Sequence, residues 1–242
     1  MTTYVFSSII LLDSFFSGAD FVSGTGLVTS LSSDEEFPTE KEVPIVALNT
    51  RADEGIMGIL NVRIISGNSN VLIDTMPFLE TDLQFSANMA VAVAKETTGI
   101  RAPDKDVIMT FDIKSNIIGG ESAGAAATLA VIAALDGREI NESVAITGTI
   151  RRDGSIGRVS GIMEKARTVS EMGFTKFLVP KDQSTVTYYS ARGPFSDPPR
   201  SGEELVPRTR DVAKIAKDYW NLEIIEVETI DDVIDHMLLP KQ

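Results

Sequence analysis

Helical and extended hydrophobic periods alternate along the second half of this chain, and that alternation limits the fold to a mixed α/β class. Val107 to Ile113 alternates as a strand, and Glu121 to Leu135 reads as an Ala-rich helix stopped by Asp136-Gly137. Val144 to Ile150 and Ser155 to Val159 read as short strands joined across Arg151-Arg152-Asp153-Gly154, where Asp-Gly supplies the turn. Residues 161 to 172 form a helix stopped by Gly173, and Phe174 to Val179 a strand ended by Pro180. Arg208 to Trp220 is a helix, Leu222 to Val227 a strand and Ile230 to Leu239 a last helix. Upstream lie three apolar, β-branched runs, Val43 to Leu48, Ile56 to Ile65 and Val71 to Phe78. Gly67-Asn68-Ser69-Asn70 suits a tight hairpin between the last two. Residues 80 to 99 then carry Leu83, Ala87, Ala90, Val91 and Ala94 on one helical face. No internal repeat interrupts this order.

The first 42 residues differ in character. Ser8 to Leu12 and Phe15-Phe16 are apolar, but no Lys or Arg precedes Arg51 and Asp13 splits the run. A secretory signal has a basic start, and this run is too short to span a bilayer. It reads as an atypical leader or a packed N-terminal strand. A cytoplasmic location is favoured, with secretion or membrane anchoring through this segment as the alternative. Residues 30 to 42 are polar, acidic and Pro-containing, as a linker would be. The domain expected from this reading therefore spans residues 43 to 242. Within it, Asp182 to Pro207 is rich in Ser, Gly and Pro and reads as a long loop or insertion.

Composition removes several chemistries. Of 242 residues 43% are hydrophobic and 24% charged, which suits an ordinary buried core. The formal charge of −13 gives no basic footprint with which to displace counterions from nucleic acid. There is no Cys, so thiol nucleophiles, disulfides and cysteinyl metal sites are excluded. The single histidine, His236, reads as a surface residue on the last helix, so a His-based triad or metal centre has little to draw on.

Two local patterns remain. In Gly119-Gly120-Glu121-Ser122-Ala123-Gly124-Ala125-Ala126-Ala127, two glycines end a loop and small residues open a helix, with Ser122 in its first turn. Unpaired N–H groups and the positive end of the helix dipole would stabilise an oxyanion there. A serine at such a place is more often a helix cap. In Ser160 to Met172, Ile162, Ala166, Val169 and Met172 make the apolar stripe, and Lys165 points toward the same face. Burial would lower its pKa and make a neutral amine base. The commoner alternative is an edge lysine laying its stem over the core.

Taken together, Gly119 to Leu135, Val144 to Ile150, Gly154 to Lys165 and Phe177 to Lys181 resemble the proteolytic domain of Lon proteases. The elements occur in that family's order, with Ser122 and Lys165 separated by 43 residues. The resemblance extends from about Val43 to the end. It implies small mixed sheets packed against helices, with Ser122 as nucleophile, Lys165 as general base and Thr147 orienting the lysine amine. Gly119, Gly120 and Glu121 would form the oxyanion and substrate loop. It implies no metal or organic cofactor, a polypeptide substrate and a homo-oligomeric ring, often hexameric. The pattern departs at Gly119, where family members often carry an aspartate. No Gly-x-x-x-x-Gly-Lys-Ser/Thr occurs, so ATP hydrolysis is not expected of this chain, and a partner ATPase would have to unfold structured substrates.

The expected activity is therefore serine endopeptidase action on flexible or unfolded polypeptides through a Ser–Lys dyad. Two rivals come from other classes. One is a catalytically silent Lon-like module that assembles with a partner ATPase. The other is a small-molecule kinase related to GHMP kinases, whose glycine- and serine-rich phosphate loop also precedes an Ala-rich helix.

Overall fold

The computed structural model describes residues 39–49, 54–75, 78–115, 117–191 and 205–241. The expected N-terminal leader and most of the acidic linker lie outside these residues. Thr39 to Glu42, read above as linker, instead begin strand β1 (Thr39–Asn49), paired antiparallel with β2 (Glu54–Ser66) in the register Val43↔Leu60. Their alternating polar residues face outward beside Asn61 and Arg63, which an edge strand allows.

Strands β3 (Val71–Thr75) and β5 (Lys105–Ile113) complete a sheet of order β1-β2-β5-β3. The hairpin expected at Gly67 to Asn70 is not formed, since β3 runs parallel to β5 and does not touch β2 through the ladder. Asp106 explains the difference. Its carboxylate accepts the N–H groups of Asn68 and Asn70 at 2.7 and 2.8 Å, which turns the chain past β5. These two N–H groups also hold the Asp106 carboxyl below its ordinary range.

The apolar run expected from Val71 to Phe78 divides into β3 and a two-residue strand, β4 (Phe78–Leu79), which pairs in parallel with β6 (Ile117–Ile118). Helix α1 (Thr81–Thr98) follows β4, and helix α2 (Gly124–Asp136) follows β6 after a 3-10 turn at Glu121–Ala123. Every residue of α2 from Gly124 to Ala134 is buried. It has no polar face, so it is enclosed by β1 and β2, by α1 and by α5 (Ile230–Met237). Thr128, its one buried hydroxyl, donates to the Gly124 carbonyl at 2.8 Å and needs no outside partner.

The second sheet is parallel, in the order β13-β10-β7, with β7 at Val144–Ile146, β10 at Lys176–Pro180 and β13 at Glu223–Val227. Between β7 and β10 come the hairpin strands β8 (Thr149–Ile150) and β9 (Ile156–Gly157), joined through Gly154 as expected, and helix α3 (Ile162–Glu171). Helix α3 lies against β1, β2 and α4 (Val212–Trp220). The expected loop from Asp182 to Pro207 instead begins and ends in an antiparallel ribbon, β11 (Thr185–Ala191) with β12 (Leu205–Asp211). Helix α4 accordingly starts at Val212 and not at Arg208. Asp211 caps it by accepting the Lys214 N–H at 2.8 Å. His236 is exposed on α5, and no helix among the described residues is long and apolar enough to cross a membrane.

The start of α2 is a tight junction. A Cβ added at Gly124 would lie 2.8 Å from Ser86 Oγ of α1 and 2.9 Å from the Ile150 backbone nitrogen. Backbone atoms cannot swing aside as a flexible side chain can. Gly124→Ala is therefore expected to lower the unfolding free energy by about 1–3 kcal/mol, read as a lower urea midpoint with an unchanged slope.

Candidate active site

The residues singled out in the sequence come from three separate elements. Ser122, half-buried, sits in the 3-10 turn ahead of α2. Thr147 follows directly on the end of β7, and its N–H donates to the Leu178 carbonyl of β10 at 3.1 Å. Lys165 lies one turn into α3. Carboxyl ends of parallel strands are a common place for ligand sites, because loops and helix starts converge there.

Backbone hydrogen bonds join the serine turn to β7. The Gly148 N–H donates to the Ser122 carbonyl at 3.0 Å, and the Ala125 N–H donates back to the Gly148 carbonyl at 3.0 Å. The Thr147 hydroxyl, wholly buried, adds a longer bond of 3.4 Å to the same Ser122 carbonyl. Its oxygen in turn accepts from Lys165 Nζ at 3.1 Å. The continuous path is therefore lysine amine, threonine hydroxyl, serine carbonyl. Among the described hydrogen bonds, the Lys165 amine and the Ser122 hydroxyl are not joined directly.

Lys165 is 2% exposed, as its place in the apolar stripe predicts. Burial alone pushes its amine down from 10.5 to about 8. About a tenth of the molecules then carry the amine neutral at pH 7, and half do so near pH 8.

In the glycine loop one backbone donor is engaged by an acid of α1. The Gly120 N–H donates to Asp82 Oδ2 of α1 at 2.9 Å, so that donor is already taken. A side chain at Gly119 would run into the Glu80 carboxylate, which fills the space beside the loop. Acidic groups thus approach the loop from α1 and not from position 119 itself. The Glu121 side chain points to solvent, and its carbonyl accepts the Gly124 N–H. Asp82 and Glu80 had no signal of their own in the sequence. An acid in the first turn of a helix is common for dipole reasons alone, and the partner of Asp82 is 38 residues away.

Among the described residues no group of three or more acids or histidines could hold a metal ion. A separate cavity of about 360 Å³ lies between β13 and α5, lined by Lys181, Glu226, Glu228, Asp232 and His236 among others. Three of its acids are engaged: Glu226 with the Ser184 N–H, Glu228 with Lys181, and Asp232 in the cap of α5.

Residues 83–187, which contain Ser122, Thr147 and Lys165, match the family described as the Lon protease (S16) C-terminal proteolytic domain. Over those residues the chain is similar to the Lon proteolytic domain. It is 26% identical over 147 residues to an archaeal Lon protease of Archaeoglobus fulgidus, covering 61% of this chain and 20% of that protein. To the archaeal Lon protease of Methanothermobacter thermautotrophicus it is 28% identical over 151 residues, 62% of this chain and 19% of that one. A Lon protease of Azospirillum brasilense is 29% identical over 121 residues, 50% of this chain and 12% of its own length. The Lon-like chain thus spans about a fifth of the length of the archaeal relatives. The observed mixed α/β architecture, with small sheets against five helices among the described residues, accords with a Lon proteolytic-domain fold.

The buried lysine also leaves a mark on stability. In the unfolded chain its amine stays protonated up to 10.5, whereas in the folded chain it gives up the proton from about 8. Between those values the unfolded state binds more protons, so stability rises with pH across that window. Below pH 8 the full penalty, on the order of 3 kcal/mol, remains. Lys165→Met is expected to raise the unfolding free energy at pH 7 by about 1–3 kcal/mol. The gain should vanish by about pH 10.5 in parallel urea titrations of both proteins.

Proposed function

We propose that this Lon-like chain is a serine endopeptidase that cuts flexible or unfolded polypeptide segments through Ser122 and Lys165. The observation that carries the reading is the buried Lys165 amine, without an acidic partner among the described residues and linked through one threonine hydroxyl to the serine turn. Lysine is costly to bury unless its neutral form is useful. A surface role would have left it snorkelling.

In the proposed reaction, neutral Lys165 removes the Ser122 hydroxyl proton as Oγ attacks the scissile carbonyl carbon. Backbone N–H groups at the start of the serine turn hold the resulting oxyanion. The tetrahedral intermediate collapses to a seryl ester as Lys165 returns that proton to the leaving amine. Water then loses a proton to Lys165 and attacks the ester. Collapse releases the new carboxylate and hands the proton back to Ser122. Thr147 keeps the amine on the serine side by accepting a hydrogen bond from it. For the amine to reach Oγ it must rotate from its present bond with Thr147, a side-chain motion that a bound substrate can select. No step draws on ATP, and the proposed homo-oligomeric ring would gather several such sites.

The missing direct Ser122–Lys165 bond also supports a second reading, a silent Lon-like module that assembles with a partner ATPase. A serine-directed phosphonate separates the two, since only a working nucleophile is labelled.

The wild-type chain is expected to cleave fluorescein-labelled casein without ATP, with kcat/KM rising through an apparent pKa near 8. Ser122→Ala and Lys165→Ala should each lower the rate at least 1,000-fold, on the order of what losing a nucleophile or base costs. Undiminished cleavage by either folded variant would end the dyad reading.

A further inference from the structure

The start of α3 is held by a side chain that no part of the reaction uses. Gln183 is 6% exposed and lies beyond β10, just before the ribbon β11–β12. Its amide makes two bonds to one residue: Oε1 accepts the Val159 N–H at 2.8 Å, and Nε2 donates to the Val159 carbonyl at 2.7 Å. A glutamine in this pose substitutes for a neighbouring strand. It satisfies both polar groups of a residue that packs against the second core cluster, away from any ladder. Asp182, in a left-handed conformation at φ 59°, turns the chain so that Gln183 points inward. The Asp182 carbonyl accepts Arg158 Nη1 at 3.1 Å, so residues 158 and 159 are both fixed to this turn.

Two residues after Val159 comes Gly161, the N-cap of α3, also left-handed at φ 69°. A Cβ there would meet the Leu48 side chain at 2.9 Å, so β1 closes over the helix start. Gly161 offers no side chain to cap the helix. Its carbonyl accepts the Lys165 N–H at 2.9 Å. The backbone position of Lys165 is thus one helical turn from a residue whose own place is set by Gln183 and Leu48.

Resting on the dyad reading above, we propose that Gln183 is a positioning residue for Lys165, fixing the start of α3 so that the amine stays within reach of the serine turn. The same turn anchors the ribbon. The Ser184 carbonyl accepts the N–H groups of Val212 and Ala213 at 2.8 and 3.1 Å, and the Ser184 N–H donates to Glu226. A displacement of the ribbon base is therefore carried to Val159 through the adjacent Gln183. Without the amide, two half-buried backbone groups of Val159 lose their partners, and the segment shifts to find water. Shifts of about 1 Å far from the reacting atoms are enough to cost up to 100-fold in rate.

The test compares wild type, Gln183→Ala, Gln183→Glu and Lys165→Ala in one pH–rate series on fluorescein-labelled casein, with circular dichroism to confirm folding. Gln183→Ala is expected to lower kcat about 10- to 100-fold with KM within about twofold. Its apparent pKa should move upward as the lysine gains water. Gln183→Glu keeps the acceptor for the Val159 N–H but replaces the amide donor, and should likewise lower kcat. If Gln183→Ala does not fold, the Glu variant is read by the same criteria. Unchanged kcat and unchanged pH profile in a folded Gln183 variant, beside an inactive Lys165→Ala, would overturn the positioning role alone. A loss of activity with no movement of the profile would also overturn it, as mere destabilisation. Retained activity in Lys165→Ala would instead overturn the dyad, and Gln183 would have no base to position.

Discussion

A helix without a polar face must be surrounded, and α2 imposes that condition on this domain. From Gly124 to Ala134 it offers only Ala, Gly, Leu, Ile, Val and one self-satisfied Thr. Alanine brings little side-chain bulk, so neighbours pack close to the backbone and the helix axis is fixed from several directions at once. The sheet covers one side, α1 another, and α5 a third. The turn carrying Ser122 continues from this helix, so its place is decided by core packing and not by the loop alone.

Lysine is the counterpart of that constraint. The same packing that excludes water from α2 and α3 denies Lys165 hydration, and its pKa falls for that reason. An acid beside the amine would have stabilised the charged form and spoiled it as a base. The carboxylates Asp82 and Glu80 of the α1 start lie against the Gly119-Gly120 loop. Thr147 gives the amine a neutral partner, which holds its position and leaves its basicity to burial.

Local periodicity made the elements legible, and partnership did not. The stripe of Ile162, Ala166 and Val169 placed Lys165 on a buried face because a helix repeats at 3.6 residues whatever it packs against. The Asp-Gly turn between β8 and β9 was legible for a similar reason, since its conformation is decided within four residues. The run before α1 failed where a distant residue intervened. Asp106 bends Asn68 to Asn70 away from a hairpin across 36 to 38 residues of sequence. The ribbon β11–β12 was hidden because Ser, Thr and Pro dominate the region, and a ribbon with few buried residues leaves only a faint hydrophobic alternation. Gln183 carried no sign, because its partner is backbone and any residue at 159 would present the same groups. The spacing of Ser122 and Lys165 was informative only as part of a resemblance. Neither local pattern stands out without the other.

Backbone atoms join the serine turn to the end of β7 and fix Lys165 within the start of α3. Gly148 and Ser122, Ala125 and Gly148, Thr147 and Leu178, and Lys165 and Gly161 are each tied N–H to carbonyl. Side chains enter where the backbone runs out of partners, at Thr147, at Asp82 beneath Gly120 and at Gln183 beside Val159. A frame of this kind limits motion by direction. The serine turn cannot slide along β7 without breaking two bonds at once, and α3 cannot retreat from β1 without uncovering Gly161. The Lys165 side chain is held at its tip by one hydroxyl bond. In the proposed reaction the motion required is in the last bonds of that side chain, where a proton would change hands.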